Sequence, residues 1–389
     1  MDVLTIGHKF ILLPRSWWEL YRPVPFLFTR DTLLAMSTSA TRFSALVIAL
    51  LVSPLPAAEL APRSTAGQPP RKVIVGTAMQ AFWGKYPGLE KRLEQLSGLI
   101  DQMVQESKKK YGRGLDLAVL PETAVTGETS NNVMADAVPL AGPVEDTFAR
   151  KAREHHCYIV VPTYLLEDRD KKLCSNAAIL IGRKGEVAGI YRKLHLAVHT
   201  GSDSLEGGTT PGKEAPVFAC DFGTLGIQIC FDIEYDYGWS ELARKGAEIV
   251  AWPTQSPQTV RPAARAVENR YYIVSSTWRN NAAIFEPTGK VTAQIKEPAH
   301  ILVEQLDLSY AILPWSPQLH NGRAFQEKYG ERAGFRYYED EDRGIFWSND
   351  SGVTIGDMMR SLGLSEARDE LKRIQKLYDE AGVPNYSER

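Results

Sequence analysis

Three apolar runs of this chain each end in a side chain that can take part in acyl-transfer chemistry. The first run leads to the carboxylate of Glu122, the second to the ammonium of Lys193 and the third to the thiol of Cys230. A strand that ends in a reactive side chain holds it on a rigid element at the rim of a sheet, where substrate can reach it. If the three ends meet, one site holds a nucleophile, an acid–base group and a cation.

Together, these three residue types supply what acyl transfer needs without a histidine. A thiol is largely protonated near neutral pH, so it needs a base such as Glu122, which later hands the proton to a leaving amine. The ammonium of Lys193 is expected to lower the thiol pKa and to stabilise the oxyanion of a tetrahedral intermediate. The backbone N–H of Phe231, directly after the nucleophile, is the natural second oxyanion donor, and losing such a donor typically costs ~3 kcal/mol.

The sequence around the three residues resembles the nitrilase, or carbon–nitrogen hydrolase, superfamily. The matching motifs are Leu120-Pro121-Glu122-Thr123, Tyr191-Arg192-Lys193-Leu194-His195-Leu196 and Gly226-Ile227-Gln228-Ile229-Cys230-Phe231-Asp232. They occur in the family's order, 71 and 37 residues apart, and the resemblance covers about residues 72–310. It implies a Glu–Lys–Cys triad, an α/β fold built as a four-layer α-β-β-α sandwich, and no metal or organic cofactor.

The resemblance also implies a second glutamate between the lysine and the cysteine, which positions substrate and the attacking water. Glu206, five residues before Pro211, is the predicted match, and Glu214 is its competitor.

Each candidate residue also has an ordinary structural interpretation. A free cysteine such as Cys230 often only packs in a core, and a glutamate after a strand often only caps a helix. Asp232 either orients the turn after the nucleophile or caps the following segment. A Cys–His arrangement that uses His195 or His199 is a third alternative, but the local signatures of thiol proteases are absent around Cys230.

The other three cysteines do not form a metal-binding pattern. Cys157, Cys174 and Cys220 lack C-x-x-C spacing, so we predict no structural zinc site and leave any disulfide among them open.

Composition places the chain among ordinary globular proteins. The 389 residues carry a formal net charge of −2, with 44% apolar and 24% charged residues. The charge is balanced and forms no basic stripe, so nucleic acid is not an expected partner. No internal repeat is visible in the sequence.

The N-terminal residues predict export. Residues 36–58 contain a basic start, a 10-residue apolar run and a small-residue stretch, which is the layout of a signal peptide. The apolar run is too short to span a bilayer, which takes ~20 residues, although an uncleaved anchor is the alternative. We interpret residues 1–35 as an overlong gene start and residues 59–71 as a linker. The predicted location is secreted or periplasmic.

The remaining pattern alternates strands with helices. A strand is predicted over 72–78, helices over 89–110 and 258–270, and antiparallel hairpins between them, which favours sheets covered by helices. The predicted hydrolase domain covers 72–310, and residues 311–389 form a C-terminal extension. Because this extension is rich in aromatic residues and contains an amphipathic helix over 365–382, we expect it to pack on the core or on a partner subunit.

The function that follows is hydrolysis of a non-peptide C–N bond through a Cys230 thioester. The expected substrate is a small amide, ureido compound or nitrile, and the expected assembly is a homodimer or higher homo-oligomer. Amidase or carbamoyl-amide hydrolase activity is the first prediction and nitrilase activity the second. A binding module on the same scaffold is the non-enzymatic alternative.

Overall fold

A computed structural model describes residues 64–127, 132–198, 201 and 203–383 of the chain. The predicted signal peptide, the segment before it, the start of the linker and His199 lie outside these ranges. Within the described ranges, no helix has both the length and the hydropathy needed to cross a membrane.

Fifteen strands and eight α-helices are described. The strands are β1 Lys72–Ala78, β2 Leu117–Val119, β3 Tyr158–Asp168, β4 Leu173–Ile181, β5 Val187–Arg192, β6 Val217–Cys220, β7 Gly223–Ile227, β8 Ile249–Pro253, β9 Tyr272–Ser276, β10 Ala283–Phe285, β11 Val291–Gln294, β12 Ile301–Asp307, β13 Tyr310–Pro314, β14 Ala333–Tyr338 and β15 Arg343–Ser348. The helices are α1 Leu89–Tyr111, α2 Val133–Asp136, α3 Pro143–His155, α4 Tyr237–Arg244, α5 Val260–Asn269, α6 Arg323–Tyr329, α7 Ile355–Ser361 and α8 Ala367–Glu380.

Two six-stranded sheets repeat one topology that the sequence did not reveal. The first has the order β12-β1-β2-β3-β4-β5 and the second β6-β7-β8-β9-β10-β11, read from equivalent edges. In each, three central strands are parallel and the outer ones antiparallel. Helices α1 and α3 connect the parallel strands of the first sheet, and α4 and α5 those of the second.

Alternating side chains of the strands bury both faces of each sheet. In β1, Val73 and Val75 join a core between the two sheets, while Ile74 packs in the cluster formed with α1 and α3. In β8, Ile249 faces the same inter-sheet core, while Trp252 packs with α4 and α5. Strands buried on both faces read as continuous apolar runs, which is how the sequence shows them. The layers follow the α-β-β-α order that the resemblance implied.

The longest helix of the first layer, α1, ends within one residue of its predicted limit. Helix α1 continues one residue beyond the predicted limit of 110, and Gly112 then adopts a left-handed conformation with φ of 72°. Its N–H donates to the Lys108 carbonyl, closing the last turn as glycine does at many helix ends.

The C-terminal extension packs on the core of its own subunit. Strands β13, β15 and β14 form a three-stranded antiparallel sheet that shares an apolar cluster with α6 and α7. The guanidinium of Arg336 lies 2.7 Å from the fully buried carboxylate of Glu286, which joins the extension to the second sheet. Helix α8 presents Leu371, Leu377 and Tyr378 to solvent. A partner for that face stays a prediction.

Candidate active site

The carboxyl ends of strands position every residue of the predicted triad. Glu122 follows β2, Lys193 directly follows β5, and Cys230 follows β7 at the start of a 3₁₀ turn, Cys230–Glu234. Strand β5 runs in the same direction as β2 because two antiparallel pairings and one parallel pairing separate them. The three ends therefore open at one edge of the facing sheets. We call Glu122, Lys193, Glu206 and Cys230 the Glu–Lys–Cys cluster.

Lys193 is the ammonium that two carboxylates share. Its Nζ lies 2.9 Å from Glu122 Oε1 and 2.8 Å from Glu206 Oε2, and its side chain is only 1% exposed. Burial alone would lower the pKa of Lys193, but the negative charges of Glu122, Glu206 and the Cys230 thiolate raise it well above its ordinary value. The amine is therefore held as a cation inside the protein.

Of the two candidates for the second glutamate, the structure places Glu206 in the cluster. Glu206 is buried, and its Oε2 also accepts the backbone N–H of Ala197 at 3.0 Å. Glu214 is exposed and lines a cavity on the outside of the first sheet instead.

Sequence reasoning missed Asn176, which connects the two carboxylates. Its Nδ2 donates to Glu122 Oε1 at 3.0 Å and to Glu206 Oε1 at 2.5 Å, and Tyr164 donates its hydroxyl to Glu206 Oε1 at 3.3 Å. The signal that could have found it was a buried amide inside the apolar strand β4. Such a group needs hydrogen-bond partners, and here they are the carboxylates.

The two oxygens of the Glu122 carboxylate have different surroundings. Its Oε1 accepts hydrogen bonds from Lys193 Nζ and Asn176 Nδ2, whereas the buried Oε2 has no hydrogen-bond partner among the described residues. The indole N–H of Trp278 donates to the backbone carbonyl of Glu122 at 2.8 Å and fixes the segment. An unpaired buried carboxylate oxygen is costly, and this one belongs to a residue whose charge acts on the Cys230 thiol.

The Cys230 thiol is partly exposed and protonated. Burial and the neighbouring Glu122 charge raise its pKa to about 12, against opposing effects of Lys193, the Thr254 hydroxyl and the Gln255 N–H. Lys193 lowers the thiol pKa as expected, but burial of the thiol and the Glu122 charge outweigh its effect. A thiol with so high a pKa needs a base to react near neutral pH.

The backbone of the cluster is strained at three positions. Thr123, Glu206 and Cys230 have positive φ angles of 49°, 36° and 40°. A non-glycine residue in this region costs of order 1–3 kcal/mol and persists only where its surroundings hold it. Strain of this kind concentrates at functional sites.

Asp232 orients the turn that carries the thiol. Its fully buried carboxylate accepts the N–H of Ile229 at 2.8 Å, the hydroxyl of Tyr191 at 2.6 Å and the N–H of His195 at 2.9 Å. It thereby ties the Cys230 turn to the loop after Lys193 and also caps the 3₁₀ turn at Ile229, so it has both of the roles that the sequence left open.

The histidine of the Cys–His alternative is engaged by Asp232. His195 Nδ1 lies 3.0 Å from Asp232 Oδ1, and its ring stacks on Tyr235 with centroids 3.9 Å apart. No hydrogen bond joins His195 to Cys230 within the described part of the chain. His199 lies outside the described residues.

An aromatic wall adjoins the cluster. Trp278, held against Glu122, makes edge-to-face contacts with Phe82 and Trp83 at 5.6 and 5.7 Å between centroids. Trp83 is 53% exposed and forms the solvent-facing edge of this group of rings. Phe82 and Trp278 are almost fully buried, so of these three rings Trp83 is the one that presents a large apolar surface.

Among the described residues, the one arrangement with metal-ligand geometry lies away from the cluster. It consists of Asp101, Glu154 and His155 on α1 and α3. The ammonium of Lys151 lies 2.7 Å from Asp101 and 3.1 Å from Glu154, so these acids already have a cation. Cys157, Cys174, Cys220 and Cys230 are all free thiols.

Comparison with solved structures identifies the fold as that of a carbon–nitrogen hydrolase. The enzyme of this class from Helicobacter pylori G27 matches with a TM-score of 0.52 and 19% identity, over 61% of this chain and 90% of that one.

The family follows from the sequence. The model of the carbon-nitrogen hydrolase family matches residues 79–313, and the chain belongs to this family. It is 32% identical over 183 residues to a nitrilase of Pyrococcus abyssi, covering 45% of this chain and 66% of the relative. It is 25% identical over 247 residues to a deaminated glutathione amidase of Synechocystis, covering 57% and 88%. The protein is a hydrolase that acts on carbon–nitrogen bonds other than peptide bonds.

Proposed function

We propose that the protein hydrolyses a small amide or carbamoyl-amide through a thioester on Cys230. Glu122 Oε2 takes the thiol proton while Sγ bonds to the substrate carbonyl carbon. The resulting oxyanion is held by the Lys193 ammonium and the Phe231 N–H, which lies in the first turn of a 3₁₀ helix where N–H groups lack helical partners. Glu122 then protonates the leaving nitrogen, and the C–N bond breaks.

The second half of the cycle uses the same groups in reverse order. Water, placed by Glu206, gives a proton to Glu122 and bonds to the thioester carbon. The C–S bond then breaks, the thiol regains the proton, and a carboxylic acid leaves. Protons and electron pairs balance without a cofactor.

One observation carries this proposal. Glu122 engages Lys193 and Asn176 through Oε1 and keeps the buried Oε2 unpartnered among the described residues, next to a thiol whose high pKa requires a base. That oxygen keeps a lone pair available for a proton, which supports Glu122 as the base.

Nitrilase activity is the second candidate, since the relative at 32% identity is named a nitrilase. Ammonia release measured in parallel on an amide and on the nitrile with the same carbon skeleton separates the two. We expect faster release from the amide, and a preference for the nitrile would reverse our order.

The central test is Cys230→Ala. We expect loss of turnover and loss of the acyl adduct that mass spectrometry detects after quenching the wild-type reaction. Cys220→Ala is the matched control, because it removes another partly exposed thiol. Turnover by Cys230→Ala would reject the mechanism, and a wild-type thiol that never acylates would favour a binding module.

We also propose that the protein works outside the cytoplasm as a homo-oligomer. The signal-like residues 36–58 support export, and the exposed apolar side chains of α8 support self-association. Sequencing the N-terminus of the mature protein should give a start near residue 59, and sedimentation should give at least a dimer. An intact N-terminus or a monomer would contradict the respective proposal.

A further inference from the structure

A second cavity lies at the opposite end of the second sheet from Cys230. It has a volume of about 410 Å³, and its wall includes Thr224 at the start of β7, Glu248 just before β8 and Arg270 just before β9. The thiol follows the other end of β7, so at ~3.3 Å per residue the two lie roughly 20 Å apart along the strand. None of the lining residues belongs to the Glu–Lys–Cys cluster. We call this space the amino-end cavity.

Cations outnumber acids on the wall of the amino-end cavity. Arg71, Arg244, Lys245 and Arg270 line it, and Glu248 is the acid among the lining residues. The guanidinium of Arg71 lies 2.5 Å from Glu248, while Arg244 lies 2.6 Å and Lys245 3.3 Å from Glu241, just outside the wall. Both of these acids are therefore already paired with cations.

Of the four cations that line the cavity, Arg270 is the one without an acid partner among the described residues. It follows helix α5 with a φ of 54°, and its backbone carbonyl accepts the Tyr310 hydroxyl at 2.6 Å. Its half-buried guanidinium makes no hydrogen bond or ion pair with any residue of the described ranges. Five N–H donors thus face the cavity region without an acceptor from the described part of the chain.

The surroundings of Arg270 are unfavourable to an isolated cation. Burial lowers the pKa of this guanidinium, and the like charges of Arg368 and Arg343 lower it further, against the opposite influence of Tyr310 and Glu366. A second cavity of about 30 Å³ shares Arg270 and Tyr310 and adds Glu366 and Arg368 to its wall. Glu366 is the carboxylate that faces Arg270 here, and it is not within ion-pair distance. An anion bound beside Arg270 would remove this electrostatic cost.

The geometry points to a binding site for a small phosphate-bearing anion in the amino-end cavity, with Arg270 as its main contact. Arg guanidinium groups bind phosphate oxygens through paired, charge-assisted hydrogen bonds. Lys245 and Thr224 line the same wall. The Lys245 ammonium donates to the Ala215 carbonyl at 2.7 Å and lies 3.3 Å from Glu241, so its third N–H and the Thr224 hydroxyl add donors. Glu248 and Glu241 balance two of the four cations, and the remaining positive charge favours a dianion over a monocarboxylate. The volume falls within the ~300–1,000 Å³ of small-ligand sites and leaves room for a small organic group beside the phosphate.

Thermal unfolding of the full chain tests the site with inorganic phosphate and with ribose 5-phosphate as probes. Titration to 20 mM at constant ionic strength, balanced with chloride, should raise the wild-type Tm by about 2 °C or more, because a ligand that binds only the folded state stabilises it. Ribose 5-phosphate should act at lower concentration than inorganic phosphate. A Tm that moves no more with phosphate than with chloride would overturn the proposal.

Arg270→Gln should abolish that rise while leaving the Tm without phosphate unchanged or higher, since it removes an unpartnered cation. Arg150→Gln, an equal charge change on the exposed face of α3, should keep the rise. A phosphate response that survives in Arg270→Gln, or a lower Tm of this variant without phosphate, would show a structural role instead.

If Arg270→Gln does not fold, a direct binding measurement tests the phosphate site instead. Equilibrium dialysis of the wild type with labelled phosphate should give one site per chain, weakened at least fivefold by Lys245→Gln. Cys230→Ala should bind phosphate as the wild type does, so this proposal can fail or stand independently of the thioester mechanism. Dialysis without bound phosphate, or with an unchanged Lys245→Gln affinity, would overturn it.

Discussion

At one end of the strands a single ammonium lies between two carboxylates, and at the other end four cations line a cavity with one acid. In the Glu–Lys–Cys cluster, the Lys193 ammonium pairs with both carboxylates, and Glu122 Oε2 has no hydrogen-bond partner among the described residues. In the amino-end cavity, the Arg270 guanidinium has no hydrogen-bond or ion-pair partner among the described residues. The two ends share strand β7, which begins at the amino-end cavity and ends shortly before Cys230. The comparison shows that the balance of charge at each end suits a different role, holding a proton at one and attracting an anion at the other.

Glu122→Gln should give the largest effect at the carboxyl end. The amide keeps the shape of the side chain but cannot accept the thiol proton, so kcat should fall 10²–10⁴-fold, the usual contribution of a positioned acid–base group. Steady-state ammonia release measures it. The matched control is Glu214→Gln, which removes an exposed carboxylate outside the cluster and should leave kcat unchanged. Equal losses in both variants would contradict the assignment.

Asp232→Asn should come next. One amide nitrogen replaces a carboxylate oxygen that accepts buried donors, and such charged hydrogen bonds contribute about 1.5–3 kcal/mol each. We expect kcat to fall about 10–100-fold, with KM nearly constant because the turn and not the substrate loses its support. A KM increase with unchanged kcat would show that Asp232 contacts substrate instead.

The thiol should respond to Glu122→Gln in the opposite direction from turnover. The Glu122 charge raises the pKa of Cys230, so removing it lowers that pKa and exposes more thiolate. The rate of alkylation by iodoacetamide at pH 8 should therefore increase about tenfold or more, one pKa unit being a factor of ten in thiolate fraction. In the wild type, that rate should keep rising with pH up to about 12. A wild-type plateau near pH 7 would show a preformed thiolate.

Arg270→Gln should leave catalysis within about twofold of the wild type, which is the smallest expected effect. Conversely, Glu122→Gln should leave the phosphate response of the Tm intact. Measuring both properties on both variants shows whether the two ends are independent. A kcat loss in Arg270→Gln would mean that the amino-end cavity is coupled to the thiol along β7.

The sequence predicted the elements that local patterns determine. The limits of β1 agree residue for residue, and α1 agrees within one, because apolar spacing and the glycine after the helix define them. The three-stranded sheet of the extension was missed, since its aromatic strands follow no clean alternation.

The electrostatics of the site could not be read from the sequence. Lys193 near Cys230 suggested a lowered thiol pKa, but the net direction is set by burial of the thiol and by the Glu122 charge, which only the three-dimensional structure shows. Asn176 was missed for a related reason, because its role exists only where β4 meets two residues from other segments. Neither fact has a local pattern.

The pairing of β1 with β12 has a consequence for how this chain is made. The first sheet receives an edge strand that lies beyond the whole second sheet in sequence, so Lys72 pairs with Asp307. During synthesis, the edge of β1 that pairs with β12 keeps its backbone N–H and C=O groups unpaired until residues 301–307 have left the ribosome. Closure of so distant a contact is entropically slow. Truncation before residue 301 should therefore yield an aggregating fragment rather than a functional half.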